Sequence, residues 1–219
     1  MEERPDSSLI ILQGIDTMSL KSSADKALYS VLYVQALDKN YIDTQDISQR
    51  AVDFYKDLDD EYHKMLSYYY LARIQENTKE YSKAIINLLK AEVSAKKINN
   101  YFYLGLICRS FSDIYNNAYN SVESLNYAQK AYEYFQLSGY TNYADWGLWD
   151  IGKAFHNSTD YNSSIEIGQK VVNIASVKQD TLLLSDGLRL LATSYVAKKD
   201  YTLAQVYYNR IRELDNNLL

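Results

Sequence analysis

The residues able to do chemistry in this chain are few, and their spacing argues against catalysis. His63 and His156 stand about 90 residues apart, and with Cys108 they fall short of the four His and Cys ligands of a zinc site. Neither a glycine-rich phosphate loop nor a nucleophile-elbow sequence is present. The acidic run Asp57-Leu-Asp-Asp-Glu61 lacks the alternating ligand spacing and central glycine of a calcium loop, and reads as a turn with helix-capping acids. Cys108 falls at a core position, where a thiol acts as an apolar filler. Asn157-Ser-Thr159 matches a glycosylation acceptor, a triplet that often arises by chance. No catalytic residue, metal ligand or cofactor is implied, and a non-enzymatic protein is expected. Recognition chemistry remains. Trp146, Trp149, Lys153 and His156 recur at i, i+3, i+7 and i+10, which places them on one helical stripe.

The elements that must position that stripe follow from a period of 40 residues. Leu71-Ala72, Phe111-Ser112, Ile151-Gly152 and Leu191-Ala192 superpose at this shift, as do Ala84, Ser124, Ser164 and Ala204, and Ala91, Ala131, Val171 and Ile211. Large residues meet large and small meet small across two helices per unit. Self-similarity at this length marks a solenoid, whose function lies on a surface. Leu148, Ile151, Gly152 and Phe155 share one face of a helix over 145–157, and Leu188, Leu191, Ala192 and Tyr195 share one over 182–198. Short polar turns follow each, and the aspartates before Tyr161 and Tyr201 are expected N-caps. Gly139 reads as a helix C-terminal glycine.

Small residues at matching places in both helices allow close backbone approach, and here the sequence resembles the tetratricopeptide repeat (TPR) family. The first clear unit reads Tyr68, Leu71-Ala72, Gln75, then Tyr81, Ala84, Leu88, Ala91. The next reads Cys108, Phe111-Ser112, Tyr115, Ser121, Ser124, Ala128, Ala131, and the third Leu148, Ile151-Gly152, Phe155, Tyr161, Ser164, Gly168, Val171. The last reads Leu188, Leu191-Ala192, Tyr195, Tyr201, Ala204, Tyr208, Ile211. Gln75 departs from an aromatic, Ser121 from a tyrosine, the closing proline of each unit is missing, and the period exceeds the usual 34. The resemblance implies an all-α, right-handed superhelix (α-solenoid) of about five hairpins. A leading segment would span 1–20, a degenerate hairpin 21–60, and repeats 61–100, 101–140, 141–180 and 181–217. An all-α array of another family is the alternative fold. Within 21–60, Ala27, Val31, Val34, Ala51 and Phe54 are core candidates, with a leading helix over 8–15 covering them.

In the family the first helix of each unit lines a concave wall. The register then implies a partner-binding set of Tyr69, Arg73, Arg109, Asp113, Asn116, Trp146, Trp149, Lys153, His156 and Arg189. Trp and Arg dominate binding hot spots by combining buried area with directional polar contacts. Two readings of the tryptophans stand: anchors for a partner, or filler against the neighbouring hairpin. Related arrays grip acidic chaperone tails with Lys, Arg and Asn on this surface. Here Asp113 interrupts the basic positions, while Tyr69 and Trp149 replace polar ones, so the arrangement differs from that clamp. With first helices roughly 10 Å apart, four units offer a groove for about ten extended residues.

A net charge of −5 argues against general phosphate or nucleic-acid binding. A single cysteine excludes an internal disulfide framework. The opening Met1-Glu-Glu-Arg-Pro-Asp lacks the apolar core of a secretion signal, and no stretch approaches 18 uninterrupted apolar residues, so no membrane contact is expected of this segment. The stretch Pro5–Ile15, with Lys26-Ala-Leu-Tyr29 and Ala36-Leu-Asp-Lys39, resembles a group of TPR proteins abundant in Bacteroidetes. In that group the array commonly follows an export or lipoprotein signal. The expected compartment is therefore the cytoplasm, or the periplasm as part of a longer exported protein. The stop at Asn216-Asn-Leu-Leu219, directly after a second helix, leaves Ile211 and its neighbours to be covered by further sequence or by self-association. The expected function is a protein- or peptide-binding scaffold. The alternatives are an oligomerising module and the sensory region of a membrane-linked regulator.

Overall fold

The computed structural model describes residues 4–40, 42 and 46–217, so the opening Met1-Glu-Glu and the final Leu218-Leu219 lie outside the described residues. Among these residues are eleven helices: α1 (Pro5–Gln13), α2 (Ser23–Lys39), α3 (Asp46–Tyr55), α4 (Glu61–Asn77), α5 (Tyr81–Lys97), α6 (Tyr101–Asn117), α7 (Ser121–Ser138), α8 (Thr141–Asn157), α9 (Tyr161–Lys178), α10 (Thr181–Ala197) and α11 (Tyr201–Asn217). From α4 onward a helix begins every 20 residues, so the 40-residue period is two helices and two turns. The all-α class of TPR-like hairpins is the one observed. Contacts divide the chain into two compact units, 1–110 and 111–219, with the boundary inside α6.

Polar caps and left-handed residues punctuate the chain. Asp60, Asn120, Asp160 and Asp180 each accept from the backbone N–H three residues on, and Asp200 does the same for Leu203. The caps expected before Tyr161 and Tyr201 are thus present. At the C-terminal ends, residues 79, 99, 119, 139, 159, 179 and 199 all have positive φ. In six of these turns the following N–H bonds back five residues, as Glu80 does to Gln75 O and Asp160 to Phe155 O. Only Gly139 is glycine, with φ 76°, so the chain makes its other turns without the residue best suited to them. Thr159 at φ 67° is the most strained choice, since a β-branched side chain there crowds the backbone. Thr159→Gly is expected to raise stability by about 1 kcal/mol, and Gly139→Ala to lower it by about 1 kcal/mol. Urea unfolding of both variants checks this, and a destabilised Thr159→Gly would contradict it.

In the first unit, α1 lays Leu9 and Leu12 on Ala36 and Leu37 of α2, beside Tyr29 and Tyr33, whose rings stack at 5.4 Å. The leading helix covers the first hairpin as expected, but it begins at Pro5, whose missing N–H is harmless at a helix start. Ala27, Val31, Val34 and Ala51 are buried. Phe54 is only half-buried, while Val52 and Tyr55 take the core, because α3 packs on both α2 and α4. Gln75, the odd residue of its repeat, accepts from Asn87 Nδ2 at 2.8 Å across the α4–α5 hairpin. At the equivalent places in the second unit, Tyr115 stacks on Tyr127 at 5.5 Å and Tyr195 on Tyr207 at 5.6 Å. A polar pair thus replaces a ring pair as a unit, which is why Gln75 is tolerated there.

Glu61 Oε1 lies 3.2 Å from Lys64 Nζ and 2.9 Å from Lys97 Nζ, tying the start of α4 to the end of α5. Ser94 and then Lys97 hold its carboxyl down at about 2, from an ordinary 4.5. A depressed carboxylate contributes stability that is complete above the unfolded value and is lost as pH falls toward the folded one. Glu61→Gln is therefore expected to flatten the fall in stability between pH 4.5 and about 2. Denaturant midpoints at stepped pH test this, and an unchanged acid limb would refute it.

In the second unit, glycines set helix spacing. A Cβ on Gly152 would meet Leu190 Cδ2 at 2.6 Å and Ile167 Cγ2 at 3.0 Å, and one on Gly168 would meet Leu191 Cδ2 at 3.0 Å. Between α6 and α7, Ser112 Oγ donates to Ser124 O at 2.8 Å. The core runs through Ala128, Ile151 and Ala154, then Val171, Ala175 and Leu183, then Val172, Leu188, Leu191 and Ile211. Cys108, in the first unit, is buried as expected.

Candidate partner-binding wall

Three residues of the α8 stripe, Trp146, Trp149 and Lys153, touch in sequence in the second unit. Trp146 and Trp149 meet edge to face, with ring centroids 5.9 Å apart. Both are half-buried and pack against the cluster of Val171, Ala175 and Leu183. The Trp149 indole N–H donates to the backbone carbonyl of Asp186 on α10 at 3.2 Å. The rings therefore fill the seam toward α10, as the packing reading expects, and keep part of their surface in solvent. Lys153 Nζ sits 5.4 Å from the Trp149 ring centre and 3.4 Å from Asp113 Oδ1 on α6. This couples cation, ring and carboxylate.

Further along, Asn157 Nδ2 donates to Asn116 Oδ1 at 2.5 Å. His156 Nδ1 lies 3.0 Å from Ser194 Oγ, which lies 2.9 Å from Ser164 Oγ. Burial pushes the His156 imidazole below its ordinary value, so it is neutral near pH 7. Arg189 is 61% exposed and reaches Asp186 only at 3.8 Å.

In the first unit the expected site residues behave differently. Tyr69 is 4% exposed, enclosed by Tyr70 and Tyr103 at centroid distances of 5.0 and 5.5 Å, and burial pushes its hydroxyl well up. It is a core residue and not a wall contact. The position is one step from the core face, and α2 as well as α5 covers α4 there. Arg73 is bound to Asp38 on α2 at 3.3 Å and to Glu76 at 2.9 Å. Burial opposes its charge, but the carboxylates of Glu76 and Asp38 outweigh burial and hold the guanidinium protonated. Its charge thus serves the α2–α4 contact. Arg109 is half-buried on α6 and close enough to Tyr69 to act on its hydroxyl.

Sequence reasoning did not foresee the Asp186 carbonyl under Trp149, the Ser164–Ser194–His156 chain, or the Asn116–Asn157 pair. The spacing of close to one repeat in most of these pairs, 37 for Trp149–Asp186, 38 for His156–Ser194 and 41 for Asn116–Asn157, was the available signal. Among the described residues no group of three His, Cys, Asp or Glu side chains is placed to hold a metal ion. None of the described helices is long and apolar enough to cross a membrane.

No protein-family model matches the chain, and no curated protein matches it. Solved structures do. BtubC (BKLC) from P. vanneervenii superposes with a TM-score of 0.77 at 13% identity, over 99% of this chain and 91% of that one. A kinesin light chain from Podosopora anserina, described by its nearly identical TPR-like repeats, gives 0.66 at 13% identity over 89% and 95%. The fold is TPR-like. A Rap protein complexed with competence and sporulation factor gives 0.65 at 11% identity, over 99% of this chain and 72% of that one. At such identities the TPR-like likeness is one of fold alone.

Proposed function

We propose that the protein is a non-enzymatic scaffold that binds a protein or peptide partner on the α8–α10 wall of its second unit. The observation that carries this reading is the locked pair Trp146–Trp149, held by packing and by the bond to Asp186, with Lys153 over its face. Aromatic rings already fixed in place lose little further entropy on binding, and that is what makes an anchor effective. Around them Asp113, Lys153 and Arg189 offer both signs of charge, and Asn116 and His156 offer neutral polar groups. Such a mixed surface suits a polypeptide and not a polyanion. The Rap protein, of similar fold, is seen in complex with competence and sporulation factor, and this supports reading the fold as a binding scaffold.

Self-association is the second reading. A cavity of about 150 Å³ between α10 and α11, lined by Leu184, Leu188, Arg210, Glu213 and Leu214, favours it. Ile211 itself is buried, whereas Tyr208 is exposed beside it. A role as the sensory part of a membrane-linked regulator, exported or cytoplasmic, would use the same wall. Affinity capture with wild type and Trp149→Ala, both confirmed folded, tests the scaffold. A partner retained by wild type alone is expected. Equal retention, or capture of this chain alone, would move the active surface to the α10–α11 end.

A further inference from the structure

Three of the four hairpins in the 40-residue register open their second helix with tyrosine: Tyr81, Tyr161 and Tyr201. The hairpin of α6 and α7 has Ser121 instead. In the next hairpin of the same unit, Tyr161 is half-buried and its ring meets that of His156 at 5.4 Å. The register equates His156 with Asn116, and at the place matching Tyr161 Ser121 supplies no ring. A cavity of about 430 Å³ opens there, lined by Asn116, Asn117, Tyr119, Ser121 and Asn157.

Its walls are unlike the apolar seams between helices. Asn116 and Asn157 use one acceptor and one donor on each other at 2.5 Å. A carboxamide carries two donors and two acceptor lone pairs, so hydrogen-bonding capacity remains. Tyr119, in the left-handed turn at φ 58°, stands on the rim 97% exposed.

We propose that this cavity receives a phenol side chain supplied by a partner polypeptide, in the place that Tyr161 fills from within the chain one hairpin later. A flat ring fits a space defined by an absent tyrosine. A polar tip and flanking peptide groups suit amide walls, which a wholly aliphatic side chain would desolvate without compensation. The volume falls within the roughly 300–1,000 Å³ of ligand pockets, so main chain on either side of the ring can enter as well. Of the wall residues only Asn116 takes part, so this site stands without the tryptophan wall.

The test is titration of N-acetyl-tyrosinamide into the full chain labelled with ¹⁵N, following the side-chain amide resonances of Asn116, Asn117 and Asn157. Saturable shifts in the millimolar range are expected, with N-acetyl-leucinamide at least tenfold weaker. Ser121→Tyr restores the residue of the other hairpins, keeps the fold, and is expected to weaken the tyrosinamide at least tenfold. Trp149→Ala leaves the affinity unchanged, so failure of the tryptophan wall and failure of this site are separable. Absent shifts, equal affinity for the leucine probe, or undiminished binding by Ser121→Tyr would each overturn the proposal.

Discussion

Leu191→Ala is expected to cost about 3–4 kcal/mol of folding stability, the largest effect of any single change considered. Leu191 is fully buried on α10 and belongs to the cluster of Val172, Leu188 and Ile211. Its Cδ2 lies 3.0 Å from where a Cβ on Gly168 would stand, so α9 has no side chain with which to fill the void. A cavity that cannot collapse lies at the costly end of the range for such truncations, which runs from about 2 to 5 kcal/mol. The equivalent Leu71, Phe111 and Ile151 are buried too, but only Leu191 faces a glycine this closely. Urea unfolding measures the loss, and a cost below about 1 kcal/mol would show that α9 and α10 close the gap. In an array of stacked hairpins the damage also stays local, because each hairpin leans on its neighbours. The variant's unfolding is therefore expected to broaden, with the second unit melting first.

Trp149→Ala is expected to weaken partner binding at least tenfold, or about 1.4 kcal/mol and more. The same truncation removes half-buried packing on Val171, Ala175 and Leu183 and the indole bond to Asp186, so stability falls as well, by about 2 kcal/mol. Trp149→Phe separates the two effects, since it keeps most of the packing but not the N–H donor or the wide indole face. Affinity is to be compared well below the melting temperatures of all three proteins. If Trp149→Ala lost stability but bound with wild-type affinity, the ring would be filler and the scaffold would need another surface.

The repeat made the fold readable without coordinates. First helices begin at 61, 101, 141 and 181, with the spacing of the period in which Leu-Ala, Phe-Ser, Ile-Gly and Leu-Ala superpose; the helix read over 145–157 begins four residues earlier, at Thr141, where the apolar pattern gives no signal. The aspartate caps were readable for a local reason: a carboxylate just before a helix has free N–H groups within reach whatever the rest of the chain does. The candidate wall was only partly legible. Helical spacing placed Trp146, Trp149, Lys153 and His156 on one stripe; Trp146, Trp149 and Lys153 touch in sequence along it, whereas His156 meets Ser194 and Tyr161. The same spacing put Tyr69 beside them, yet Tyr69 is enclosed by Tyr70 and Tyr103. Periodicity within one helix reports a direction and not what lies in that direction, and around α4 a third helix, α2, lies there.

The sequence by itself determined the number and spacing of the hairpin helices, their caps, the positions where only small side chains fit, and the stripe of α8. These are local or periodic properties, set by hydrogen-bond geometry and by repetition of one packing solution. Tertiary structure alone decided which stripe residues reach solvent. It tied Arg73 to Asp38 and set the Asp186 carbonyl beneath Trp149. It also decided what becomes of Ser121, a one-residue departure whose consequence is an open cavity. Each of these depends on partners some 30 to 40 residues away along the chain, brought near only by the stacking of one hairpin on the next.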